Sequence, residues 1–345
     1  MVKKAHVTHL LTPVVVLRAQ GCLLGQLAGD ALGSMVEFRS GAQLAAHYPQ
    51  GLREIAGSPV WGTLAGQPTD DSELALALAR TLAAHGFDEE AIAAAYADWL
   101  ESNPFDVGAT VGRATAAMVD ARQAGEPLAP AARADANPNS EANGALMRQS
   151  PLAIWGWYLA PETLDACARA DTLLTHPSRV CQDASAAYLV ALAAVIRDGL
   201  DPSAAYELAC DWDRRHGASP AITHALAAAR TAPPAYQPSE GHVPIALQNA
   251  FYQALYAPSP EEGVVATVMG GGDTDTNAAI AGALLGALHG IDAIPDQWRE
   301  AVLSCRPLAG RPGVHRPRPA IYWPGDARAL AEQLLHAGTA EAQAA

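Results

Sequence analysis

From Gly21 onward, apolar residues, mostly Ala and Leu, recur at three- and four-residue spacing, and Pro, Gly or Asn breaks the runs at short intervals. That period marks helices with one face in a core, whereas the two-residue alternation of half-buried strands is almost absent. The pattern predicts an all-α chain with helices near 19–37, 71–84, 88–101, 108–123, 142–158, 161–174, 179–197, 202–214, 242–256, 260–269 and 276–289. Residues 309–325, with Pro312, Pro317, Pro319 and Pro324, read as an irregular connection to a last helix near 326–336, and the tail is expected to fray from Gly338. No repeat of about 20 to 50 residues and no linker-like stretch interrupts the chain. We therefore expect one multi-helix domain with a core over 19–336, preceded by an extension of residues 1–18.

Two of these helices carry glycine at every fourth position: Gly21, Gly25, Gly29 and Gly33 in one, Gly282, Gly286 and Gly290 in the other. A glycine inside a helix costs about 1 kcal/mol relative to alanine, so a stripe of them calls for a compensating gain. Close approach of two backbones supplies one, as in small-xxx-small packing. An Ala- and Gly-rich composition produces the same spacing without any contact. If the contact is real, it brings Glu37 beside Asp273 and Asp275.

Composition narrows the class. The chain has 345 residues, half of them hydrophobic and 17% charged, which describes a folded globular protein. Its 22 Lys and Arg face 36 Asp and Glu, a formal charge of −14 that repels a phosphate backbone and argues against a nucleic-acid partner. Cys22, Cys167, Cys181, Cys210 and Cys305 show no metal-site spacing and read as reduced thiols in a cytoplasm. Lys3 and Lys4 before Leu10 to Val16 faintly suggest a signal peptide, but Pro13 and Arg18 interrupt it. No run reaches the roughly 18 uninterrupted apolar residues of a spanning helix, so no membrane is expected.

Two acidic clusters stand at predicted helix starts. Thr69-Asp70-Asp71-Ser72-Glu73 reads as a helix start with Asp70 as N-cap and Glu73 completing an acidic capping box. Gly270-Gly271-Gly272-Asp273-Thr274-Asp275-Thr276 puts two carboxylates and two hydroxyls where one cap would suffice. Like charges crowded together repel unless a cation sits among them. Oxygen ligands of Asp and Thr select hard cations, Mg²⁺ or Mn²⁺. The charges of Asp70, Asp71, Asp273 and Asp275 would balance two such ions, with Thr69 and Thr276 as further ligands, and a two-metal site can clamp substrate oxygens and activate water.

With these clusters in order come Gly29-Asp30-Ala31-Leu32-Gly33 and Glu37, Phe105-Asp106-Val107-Gly108, Asn143-Gly144-Ala145-Leu146-Met147-Arg148 and Thr175-His176. The ordered set resembles the ADP-ribosylglycohydrolase family, which includes dinitrogenase reductase-activating glycohydrolases and ADP-ribosylarginine hydrolases. The resemblance implies an all-α fold, a binuclear metal site in a cleft, and cleavage of a glycosidic bond at the distal ribose of an ADP-ribosyl group. Its substrate is then an ADP-ribosylated protein or a small ADP-ribosyl compound.

By that resemblance the metal ligands are Thr69, Asp70, Asp71, Asp273, Asp275 and Thr276. Glu37 is the acidic residue near the metals, unless it is a solvated charge at a helix end. Asp106 holds the guanidinium of an arginine leaving group, unless it caps the helix near 108–123. His176 falls on the adenosine side, where a structural hydrogen bond would also account for it. Ser140, Asn143, Gly144 and Gly272 match substrate-contacting positions, although Asn139-Ser140-Glu141-Ala142 replaces the usual glycine-rich run, and Ser72 replaces a more usual Thr.

Overall fold

Helices Pro13–Gly33 and Thr274–His289 lie against each other along the glycine stripes and carry the site at one end. A β-carbon on Gly25 would stand 2.1 Å from the carbonyl oxygen of Gly282, and one on Gly286 would stand 2.0 Å from that of Gly21. Gly29 and Gly33 face the carbonyls of Ala278 and Thr274 in the same way. Gly290 closes this contact, its carbonyl carbon 2.8 Å from where a β-carbon on Gly21 would stand. It follows the helix at φ +79°, the C-terminal position where glycine avoids the Cβ penalty.

The computed structural model describes residues 11–344 and is all-α, with no strand among those residues. Between the striped pair run Gly41–His47, Asp70–His85, Glu89–Glu101, Ala109–Ala124, Leu128–Asp135, Ser150–Trp155, Pro161–Leu173, Arg179–Asp198, Pro202–His216, Pro220–Ala229, Val243–Tyr256 and Pro260–Gly270. Asp296–Ser304 and Ala327–Ala344 follow. One apolar core extends from Val15 to Leu335 through nearly all of them. Arg179–Asp198 is apolar and long enough to cross a membrane, yet 89% of its most apolar window is buried inside the protein. The five cysteines are unpaired.

Several boundaries differ from the expectations. The first helix starts at Pro13, capped by the Thr12 hydroxyl, so residues 13–18 of the supposed extension are helix. Lys3, Lys4 and the start of the signal-like run lie outside the described residues. The stretch 142–158 is broken into short turns around Ser150–Trp155, because Pro151 opens that helix and Gly156 closes it. Gly41–His47, Leu128–Asp135, Pro220–Ala229 and Asp296–Ser304 are additional short helices. Gly338 does not begin a frayed tail. It sits within the last helix, so close to the Trp155 carbonyl that no side chain fits.

Candidate active site

The end of the first helix and the start of Asp70–His85 are joined through Asp30. Its carboxylate accepts from the Thr69 backbone N–H (3.1 Å), the Thr69 hydroxyl (2.9 Å) and the Ser72 N–H (3.2 Å). The cap of Asp70–His85 therefore comes from another helix, satisfying N–H groups a helix leaves unpaired. Asp70 is inside the helix and Thr69 is the N-cap. Glu73 forms no capping box. It is buried, accepts from Trp99 Nε1 (2.9 Å), and takes both oxygens to Arg318 (2.7 and 2.8 Å). With the cap supplied elsewhere, Asp70 and Asp71 are free to line the cleft.

The opposite wall depends on Gly271 and Gly272, at φ +79° and +81°. Gly272 N–H donates to the Arg39 carbonyl (2.8 Å) and its own carbonyl accepts from Phe38 N–H (2.9 Å), so both its backbone polar groups are engaged within the fold. The Thr274 hydroxyl donates to the Gly33 carbonyl (2.7 Å) and fixes one striped helix on the other. This brings oxygens of Glu37, Asp106 and Asp275 within 4.8 Å of one another. The Thr276 hydroxyl reaches Asp71 (3.4 Å), and Asn143 Nδ2 donates to Asp273 (2.7 Å). Asp106 caps nothing, since Ala109–Ala124 is preceded by Gly108 without a side-chain cap. Nor is Glu37 solvated: it is buried and accepts from Trp61 Nε1 (2.7 Å).

These acids line a cleft of about 440 Å³ with no Lys or Arg among the described residues of its wall. Burial, then mutual repulsion, sets their ionisation. Burial pushes Glu37 up to about 8, opposed by the Trp61 bond and reinforced by Asp273. Asp106 rises to about 9 through burial and the charges of Asp70 and Glu37. Burial raises Asp30 to about 7 against its bonds from Ser72 and Thr69. Asp70 and Asp273 are raised, and Asp71 and Asp275 well above the ordinary range, all chiefly by burial. Asp71 Oδ1 is buried without a hydrogen-bond partner. An unpartnered carboxylate oxygen among all-oxygen donors fits a hard cation, and the Thr69 and Thr276 hydroxyls keep lone pairs to offer.

The far end of the cleft is less polar, with Val111, Gly144, Met147 and His176 in its wall. Arg148, fully buried, holds it by donating to the Gly144 carbonyl (3.1 Å) and the Thr175 hydroxyl (2.9 Å) and pairing with Asp171. His176 is buried and bonds Thr175 through Nδ1 (2.8 Å), while Nε2 has no partner. Burial, aided by Arg148, lowers its pKa to about 3, so the ring is neutral. Ser140 is not in this wall. Its hydroxyl meets that of Thr110 (2.8 Å), and it borders an adjacent hollow with Glu141, which turns to His242 (2.8 Å) and away from the cleft.

Residue types alone did not single out Asp30, Trp61 or the Glu73–Arg318 pair as site-building. For Asp30 a signal exists: it is the one charged residue between Ala19 and Gly33. Trp61 and Arg318 lie in irregular segments whose pattern announces no partner.

The site is an acidic cleft at the ends of two closely packed helices of an all-α scaffold, and the chain belongs to the ADP-ribosylglycohydrolase family, hydrolases of ADP-ribosyl linkages, whose model matches residues 12–342. It is 32% identical over 292 residues to the ADP-ribosyl-[dinitrogen reductase] glycohydrolase of Rhodospirillum rubrum, covering 83% of this chain and 90% of that one. An ADP-ribosylarginine hydrolase of Pseudomonas putida (strain GB-1) is 26% identical over 85% of this chain and 76% of its own. Among solved structures, a chain of an ADP-ribosylglycohydrolase-related protein complex superposes with a TM-score of 0.76 at 26% identity, covering 95% of this chain and 100% of that one.

Proposed function

We propose that the chain removes ADP-ribose from modified arginine, cleaving the N-glycosidic bond with the help of two divalent cations, Mg²⁺ or Mn²⁺. The observation that carries the arginine reading is Asp106. It is a half-buried carboxyl at the cleft, pushed up to about 9 with no Lys or Arg among the described residues of the wall to pair with. A guanidinium supplies the missing charge and suits bidentate hydrogen bonding.

Thr69, Asp70, Asp71, Asp273, Asp275 and Thr276 would hold the cations. When bound, such ions polarise substrate oxygens and stabilise charge as the bond breaks. Asp106 then orients the guanidino group. Trp61 fixes Glu37 as a proton acceptor for the water that attacks the anomeric carbon. The proton Glu37 takes from water balances the one the departing guanidine gains. Neutral His176, with Met147 and Val111, forms the wall suited to the adenosine end, and Asn143 divides its groups between Asp273 and the Gly241 carbonyl.

A second reading has its own support: Asp106 lies within 4.8 Å of Glu37 and Asp275, a grouping that can hold a cation and needs no guanidinium. Cleavage of a serine, O-acetyl or nucleobase linkage fits that arrangement. The test is release of ADP-ribose from arginine-, serine-, O-acetyl- and nucleobase-linked substrates with Mg²⁺ or Mn²⁺. Fastest release from arginine is expected. Turnover of a neutral linkage with none of arginine would overturn the arginine reading, and no turnover of any substrate, with ADP-ribose still bound, would mark a non-catalytic binder.

A further inference from the structure

The cleft mouth has an apolar side that the chemistry does not use. Phe38 is 62% exposed and Val107 is 38% exposed, both in the cleft wall, and Val60, 38% exposed, precedes Trp61. Beneath them Trp61 packs against Phe38 and Phe105, with ring centroids 6.5 and 6.0 Å away. Phe38 is held at φ +66°, a left-handed conformation uncommon outside glycine and costly for an aromatic residue. Its N–H bond to Gly272 keeps it there. A strained backbone that presents a large ring to solvent gains nothing from the interior of the fold, which is why such patches mark contact surfaces.

The patch is continuous with the reacting end of the cleft. Glu37 precedes Phe38, and Asp106 stands between Phe105 and Val107, so acids and apolar residues come from the same two segments. A group held by Asp106 therefore has Phe38 and Val107 beside it in the cleft wall. Above Phe105 lies Arg316, its guanidinium 6.0 Å from the ring centroid and its Nε donating to the Trp61 carbonyl (2.9 Å). Arg316 is exposed and makes no ion pair among the described residues, an unneutralised positive charge on a chain of net −14.

We propose that this rim is the docking surface for the polypeptide flanking the modified arginine, and that it favours an apolar side chain beside an acidic one. The inference rests on the arginine reading above. Apolar contact supplies affinity, and Arg316 at the edge supplies selectivity and association rate, as rim charges do.

The experiment compares kcat/KM for free ADP-ribosylarginine and for three peptides bearing it centrally, flanked by Leu and Glu, by Leu and Lys, or by Gly alone. Anisotropy of the same peptides, fluorescently labelled, is measured alongside. The Leu/Glu peptide should exceed the Gly peptide by about tenfold, the scale of one buried apolar anchor. Arg316→Glu should reverse the order of the Leu/Glu and Leu/Lys peptides, each by about two- to fivefold, the range of an exposed ion pair. Val60→Asp should weaken both Leu peptides. Both variants are read as the ratio of peptide to free ADP-ribosylarginine, because Arg316 is bonded to Trp61, which positions Glu37, and a change passed through Trp61 moves peptide and free compound together. Equal rates and affinities for all peptides, or variants that shift the free compound as much as the peptides, would overturn the docking surface. If no arginine compound is cleaved, the arginine reading falls, while the anisotropy ranking still decides the rim.

Discussion

Arg318 grips both carboxylate oxygens of Glu73, at 2.7 and 2.8 Å, where neither side chain reaches solvent. Glu73 is in the first turn of the helix that presents Asp70 and Asp71, while Arg318 comes from the Pro-rich segment near the far end of the chain. Arg318 also donates to the Ser102 carbonyl and lies over the Tyr322 ring. Removing one partner of a buried pair strands the other, so Arg318→Met should cost about 3–5 kcal/mol of stability. The double variant Arg318→Met with Glu73→Gln should recover part of that loss. Denaturant midpoints of the two variants and the parent measure both effects.

Six oxygen donors, with Asp71 Oδ1 orphaned among them, predict that activity depends on a divalent cation. Exhaustive chelation should abolish ADP-ribose release, and Mg²⁺ or Mn²⁺ should restore it. Asp273→Asn and Asp275→Asn should each lower turnover by about two orders of magnitude or more, some 3 kcal/mol of transition-state stabilisation. Their far-ultraviolet circular dichroism should match the parent's. Full turnover after complete metal removal would refute the dependence.

If Asp106 pairs with the guanidinium, Asp106→Ala should cost far more in hydrolysis of ADP-ribosylarginine than in affinity for ADP-ribose, which lacks the cation. A charge pair broken from one side in a desolvated site is worth several kcal/mol, so a fall of about a hundredfold or more in kcat/KM is expected. Near-parental rates on arginine would assign Asp106 to the acidic cluster alone.

Stability should respond to pH in two opposed ways. Glu37, Asp30 and Asp106 are raised to about 8, 7 and 9, above the unfolded values of about 4. Without cations the folded chain binds protons that the unfolded chain has released, so the stabilisation from these groups is complete below about 4 and is lost progressively as pH rises from there through 7 to 9. His176, lowered to about 3, acts oppositely: its contribution is complete above about 6.5 and is lost as pH falls towards 3. Excess Mn²⁺ should therefore raise the unfolding midpoint more at about pH 8.5 than at about pH 5.5. His176→Gln should flatten the acid limb.

The fold class, the acidic pairs at two helix starts and the glycine stripes are legible because each is local: a period, a spacing or a composition within one segment. What the sequence conceals is which segment satisfies which. The Thr69 to Glu73 run looks like a self-capped helix start, but the cap comes from Asp30 and Glu73 answers to Arg318. Glu37 looks like a terminal charge, yet Trp61 from a loop fixes it. Short helices such as Gly41–His47 escape a periodicity search because one or two turns hold too few apolar positions to show a repeat. Gly290 belongs to the stripe although the helix has ended, since its backbone still meets Gly21.

At the striped contact even a methyl group has no room: Gly25→Ala would place carbon 2.1 Å from the Gly282 oxygen. The two helices would have to separate, and overpacking of that kind typically costs about 1–3 kcal/mol or more. Because Thr274 is bonded to Gly33 at the end of the same contact, turnover should fall together with the melting temperature in Gly25→Ala and Gly286→Ala. A surface control such as Gly125→Ala, which meets nothing within 4 Å but sits at φ +71°, should lose some stability and keep its rate.

The same contact constrains how the protein is born. Its two halves, Pro13–Gly33 and Thr274–His289, are near opposite ends of the chain, so the first helix leaves the ribosome long before the surface that covers it exists. For most of translation a nearly uncharged helix with a flat glycine face is waiting for its mate, a condition that invites association with other nascent chains or capture by chaperones. Closure of the cleft is a final event of synthesis rather than a local one, and a product truncated before Asp273 would emerge without Asp273 and Asp275, half of its four acidic donors, and with its core unsealed.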